Sequence, residues 1–109
     1  VIAVVCTTVP SVEVAERVAR ALVEEQLAAC VQRVGPITST YRWKGAVTTD
    51  EEFQLSIKTT PEHIEALVAR LLTLHPYEVP EVLVLDARAP HAPYRAWLEA
   101  SVLKSGRQR

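Results

Sequence analysis

The sequence predicts an α+β fold: an antiparallel sheet in the chain order β-α-β-β-α-β, covered on one face by its helices, with one further helix at the end. Three observations predict it. A β-branched apolar run opens the chain, two alternating segments separated by two residues stand in the middle, and stretches with helical spacing flank that pair. At 109 residues the chain is one domain, residues 1–109, and a chain of this size buries roughly two thirds of the surface its unfolded form exposes.

Residues 2–8, IAVVCTT, are continuously apolar or β-branched, as a strand buried on both faces requires, and they read as a central strand. Pro10 and Ser11 then supply a break and an N-cap. Glu13 and Glu16 favour the positive end of a helix, and Val14, Val18 and Leu22 recur at i, i+4, so a helix is expected over 12–27. In ITSTYRWKG, Ile37, Ser39, Tyr41 and Trp43 alternate with Thr38, Thr40, Arg42 and Lys44. In EEFQLSIKT, Phe53, Leu55 and Ile57 alternate with Gln54, Ser56 and Lys58. Both read as strands. Lys44 and Gly45 form the residue pair of a tight reversal that joins them as a hairpin, and Gly35 with Pro36 interrupts the first arm as a bulge or kink.

The second helix has Thr60 as N-cap and Pro61 at its first position, with Ile64, Leu67, Val68, Leu71 and Leu72 on one face. Pro76 ends it, because proline cannot continue the hydrogen bonding and restricts His75 before it. EVLVLDA comes next as a fourth strand. Pro93 opens a last helix with Tyr94, Trp97, Leu98 and Val102 on one side, before a tail, KSGRQR, that is expected to be loose. The whole is the ferredoxin-like arrangement with an extra C-terminal helix. Each arm of the hairpin runs about 12 residues, or ~40 Å at ~3.3 Å per residue. A compact 100-residue domain has a radius of gyration near ~13 Å. The long hairpin should therefore project beyond its own helices, and a second copy of the chain is the simplest cover for the edges and sheet face it leaves open.

The formal charge is −1 and the twelve Lys and Arg form no run, which disfavours nucleic acid as a partner. No apolar run approaches the ~18 residues of a membrane helix. VIAVVCTT lacks a charged leader and a small-residue cleavage site, so it reads as a strand rather than a signal peptide, and a cytoplasmic location with reduced cysteines is expected. The absence of Asn and Met is compatible with a heat-adapted source or with a biased genome.

HPYEVPE, residues 75–81, concentrates a histidine, two prolines and two carboxylates. In an extended segment His75 and Glu81 lie ~20 Å apart, too far to hold one ion, so any ligand must draw on other segments. Cys6, near the end of the central strand, reads either as a small buried hydrophobe or as a soft metal ligand beside an imidazole. Cys30 reads as core, and a Cys6–Cys30 disulfide is not expected because their strands are not neighbours. His75 stands at a helix end, where the dipole favours the imidazolium and the ring can cap a free carbonyl, or serve a function. His63 and His91 read as solvated. Tyr41, Trp43, Tyr77, Tyr94 and Trp97 read as interface packing, with a ligand cleft lined by them as the second reading. Glu52, Lys58, Glu78 and Glu81 read as solvated faces and intersubunit ion pairs, or as an acid-base constellation. With no nucleophile-base motif and no glycine-rich phosphate loop, no enzyme activity is expected. Ferredoxin-like acylphosphatases use an arginine with an asparagine, and this chain has no Asn.

The order CTTVPS, LAACV, STYRWKG, IKT, HPYEVPE and YRAWL resembles the divalent-cation tolerance family CutA, across essentially the whole chain. The resemblance implies a cytoplasmic homotrimer of ferredoxin-like subunits with long hairpins packed between neighbours. It implies weak binding of copper or another divalent metal ion, no required cofactor, and a role in the response to metal ions. Of the ligands proposed in one bacterial member, a cysteine and two adjacent histidines, the cysteine falls on Cys6 and the second histidine on His75. Leu74 stands where the first would be. The family also resembles the PII signalling trimers in architecture, which implies the alternative of an effector-binding or scaffold trimer. Its intersubunit clefts would hold a small anionic molecule or a partner protein, with Trp43, Glu52, Lys58, Tyr77, Glu81, Tyr94 and Trp97 as candidate cleft residues.

Overall fold

A computed structural model describes residues 1–102, so the tail KSGRQR lies outside the described residues. The elements run β1 (Ile2–Val9), α1 (Val12–Glu24), β2 (Cys30–Trp43), β3 (Ala46–Thr59), a 3₁₀ turn (Pro61–His63), α2 (Ile64–Leu74), β4 (Leu83–Ala87) and α3 (Ala92–Ala100). All strand pairs are antiparallel, in the spatial order β2-β3-β1-β4. The ferredoxin-like class and the central position of β1 agree with the expectation.

Strand alternation divides the sheet into two unlike faces. Val5 and Val9 of β1 and Leu55 and Ile57 of β3 meet Ala15, Val18 and Leu22 of α1 and Leu67 and Leu71 of α2 in the main core. Fully burying one such leucine stabilises the fold by about 1.5–3 kcal/mol. Ile2, Val4, Cys6 and Thr8 point the other way. There α3 covers one end only, packing Leu98 and Val102 on Ile2 and Ala29. The extra helix therefore lies on the face opposite α1 and α2, and no other described helix covers that face.

Local chemistry explains where the elements end. The Val14 N–H donates to the Ser11 hydroxyl at 3.2 Å, the expected N-cap of α1. The helix stops three residues before the expected end, because Gln26 adopts a left-handed φ of 60°. Leu27 N–H then reaches back to the Leu22 carbonyl and Gln26 N–H to that of Val23, a Schellman closure made without glycine. Thr60 does not cap through its side chain onto the backbone. Its hydroxyl meets His63 Nδ1 at 2.6 Å, and His63, expected to be solvated, is half-buried by that contact. The apolar stripe of α2 is narrower than expected, since Leu72 faces solvent. β4 begins at Leu83, so Glu81 belongs to the preceding loop.

The hairpin is longer than expected, with 14 residues in each arm. Lys44 and Gly45 have φ of 50° and 83°, the two positive values of a type I′ turn, whose twist matches that of the strands. That turn pairs Trp43 with Ala46 and sets the register down to Ile37 opposite Glu52. Between Val34 and Ile37 one extra residue enters β2, at Gly35 and Pro36, whose peptide bond is cis. The hairpin tip is largely exposed, and the molecule extends 45 × 31 × 23 Å with a radius of gyration of 14.8 Å. The projection expected from arm length is present.

Gly35 has φ of 152°, and a Cβ there would fall 2.7 Å from Phe53 Cδ2 and 3.2 Å from the Glu52 carbonyl oxygen. Gly35→Ala is expected to lower unfolding stability by about 1–3 kcal/mol, read as a reduced urea midpoint. An unchanged midpoint would show that the bulge is not constrained by this contact.

Candidate functional site

The extra residue at Gly35–Pro36 reverses the alternation of β2. Cys30, Gln32 and Val34 pair with Lys58, Ser56 and Gln54 on the open face, whereas beyond the bulge Ile37, Ser39, Tyr41 and Trp43 take that face. Opposite them on β3 stand Glu52 and Asp50. The register set by the turn therefore puts aromatic rings and carboxylates on one surface, and the bulge joins that register to the one at the base of the hairpin. The Tyr41 hydroxyl donates to Asp50, a diagonal pair within the hairpin.

HPYEVPE builds the facing wall. His75 is the C-cap of α2 and extended at ψ 133°, as the residue before a proline prefers. Its ring is buried, with Nε2 at 2.8 Å from the Thr8 carbonyl and Nδ1 at 3.2 Å from the Tyr77 amide. Since the amide can only donate, Nδ1 accepts and Nε2 carries the proton to Thr8. The His75 and Tyr77 rings lie 4.8 Å apart, and the Tyr77 hydroxyl donates to Glu52 Oε2 at 2.6 Å. The segment thus leads from the helix layer past the end of β1 to the open face.

The expectation of an imidazolium at the helix end is corrected here. Burial pushes the His75 pKa down, offset in part by the Thr8 carbonyl and the charge of Glu52, and the capped carbonyl belongs to β1 rather than to its own helix. Burial, followed by the bond to Glu52, pushes the Tyr77 phenol up, so it remains a donor across the ordinary pH range.

Between the two walls lies a cleft of about 590 Å³. Asp50, Glu52, Glu78 and Glu81 bring four carboxylates to it, Tyr41, Trp43 and Tyr77 bring rings, and Thr8 and Ser39 line it as well. No Lys or Arg does. Glu52 is only 6 % exposed. Of the residues singled out from sequence, Tyr41, Trp43, Glu52, Tyr77, Glu78 and Glu81 line this cleft together. Lys58 does not; it donates to Gln32 near the base of the hairpin. Tyr94 and Trp97 lie on α3, their rings 5.8 Å apart, with burial and then Cys30 raising the Tyr94 pKa. Cys6 and His75 are both buried and neither lines the cleft; Cys6 and Cys30 are free thiols. Among the described residues no three His, Cys, Asp or Glu side chains converge in a way that could hold a metal ion.

Asp50 was missed in the sequence, although the signal was present. The Lys44-Gly45 turn fixes the pairs Ser39–Asp50 and Ile37–Glu52, which puts both acids on the face of Tyr41.

The sequence model of the CutA1 divalent ion tolerance protein family matches residues 3–101. The chain belongs to that family. A divalent-cation tolerance protein CutA of Thermus thermophilus is 50 % identical over 95 residues, covering 87 % of this chain and 92 % of that one. The solved structure from the same organism superposes with a TM-score of 0.89 at 46 % identity, covering 94 % of this chain and 99 % of that one. CutA1 of Oryza sativa reaches a TM-score of 0.91 at 40 % identity, with 95 % of each chain covered. A mouse protein named CutA is 42 % identical over 102 residues, and the match spans 91 % of this chain but 58 % of that relative. No helix among the described residues is long and apolar enough to cross a membrane.

A His75 pKa below the unfolded value of 6.5 means that the unfolded chain accepts a proton the folded chain refuses. The stability contributed by this group is complete above pH 6.5, falls as pH drops below it, and levels off once pH passes the folded value. Denaturant midpoints measured between pH 5 and 8 are expected to fall on the acid side, with a shallower fall in His75→Gln.

Proposed function

We propose that this protein binds divalent cations weakly in the response to metal ions, as a cytoplasmic homotrimer without enzymatic activity. The observation that carries this reading is the cleft with four carboxylates and no Lys or Arg lining it among the described residues, in a family whose members are named for divalent-cation tolerance. Carboxylate oxygens suit hard divalent ions. Because no three ligands converge among the described residues of one chain, the expected binding is weak and gains from groups that a neighbouring copy brings.

Assembly is supported by what one chain leaves uncovered. Tyr41 and Trp43 at the hairpin, Leu83 and Leu85 on edge strand β4, and Trp97 on α3 all face solvent in the single chain. The unpaired edges of β2 and β4 add backbone groups that packing between copies would cover.

Cys6 and His75 support a soft-metal site less well. Both ring nitrogens of His75 are engaged, so a copper ion there must displace the Thr8 carbonyl or the Tyr77 amide. An anionic effector, the alternative drawn from the PII likeness, meets four like charges in this cleft and is disfavoured.

Titration calorimetry with copper and zinc separates these readings. Glu52→Gln is expected to weaken binding about tenfold, the effect of losing one charged contact, while a Cys6→Ala, His75→Ala double variant retains it. The reverse pattern would move the site to the thiol and imidazole. Light scattering is expected to give about three times the 12.1 kDa chain mass, and a monomer would defeat the assembly.

A further inference from the structure

We draw no further inference here: the strongest candidate, the cluster of His75, Tyr77 and Glu52 that ties HPYEVPE to β1 and β3, belongs to the cleft already described, and beyond its own hydrogen bonds no second observation among the described residues points to a ligand there.

Discussion

One extra residue in β2 governs the geometry of the site. A strand has a period of two, so a single inserted residue exchanges the faces of everything beyond it. Carried unbroken to the tip, the register at the base of the hairpin would put Tyr41 and Trp43 on the opposite face from Glu52 and Asp50. The Lys44-Gly45 turn sets the register of the tip, and the bulge at Gly35–Pro36 lets the two coexist. Acids and rings thereby share a surface, and the cleft is the result. Gly35 is required there because the backbone at φ 152° passes so close to Phe53 that a side chain has no room.

The second wall depends on a neutral ring. His75 donates to Thr8 and accepts from Tyr77, two roles that only the uncharged imidazole can play together. Pro76 and Pro80 stiffen the segment between them, so the Tyr77 hydroxyl reaches Glu52 from a stretch of chain with little conformational freedom to lose. Hairpin and loop come from distant parts of the chain, yet they meet through one short hydrogen bond. The electrostatic character of the cleft is a consequence of that meeting: the acids converge on it, whereas Arg70 pairs with Glu25, Arg33 with Glu16 and Lys58 with Gln32 away from it, and Lys44 lies over the Trp43 ring.

Much of the fold was legible because its signals are local. Ser11, Pro61, Pro76, the Lys44-Gly45 pair and the alternation of β3 each declare an element by their own chemistry. The end of α1 was not legible, since a left-handed Gln26 has no composition signature of the kind glycine provides. Placement of α3 on the second face was not legible either. Its apolar side specifies that it packs, and only the complementary patch of Ile2 and Ala29 specifies where. Of the site, HPYEVPE and the aromatic hairpin stood out by composition, whereas Asp50 required the register to be carried through. Tyr94, Trp97 and Lys58 were grouped with the cleft by residue type alone; the topology puts them at the other end of the hairpin or on α3.

The hairpin extends well past the helices, so the exposed side chains at its tip contribute little to the core that holds the domain together. Exposed positions of this kind tolerate substitution with small effects on stability. The tip can therefore change its side chains while the folding unit beneath it stays the same, and one scaffold can acquire different ligand preferences through a handful of surface replacements. Specificity and foldability are written in separate parts of the chain.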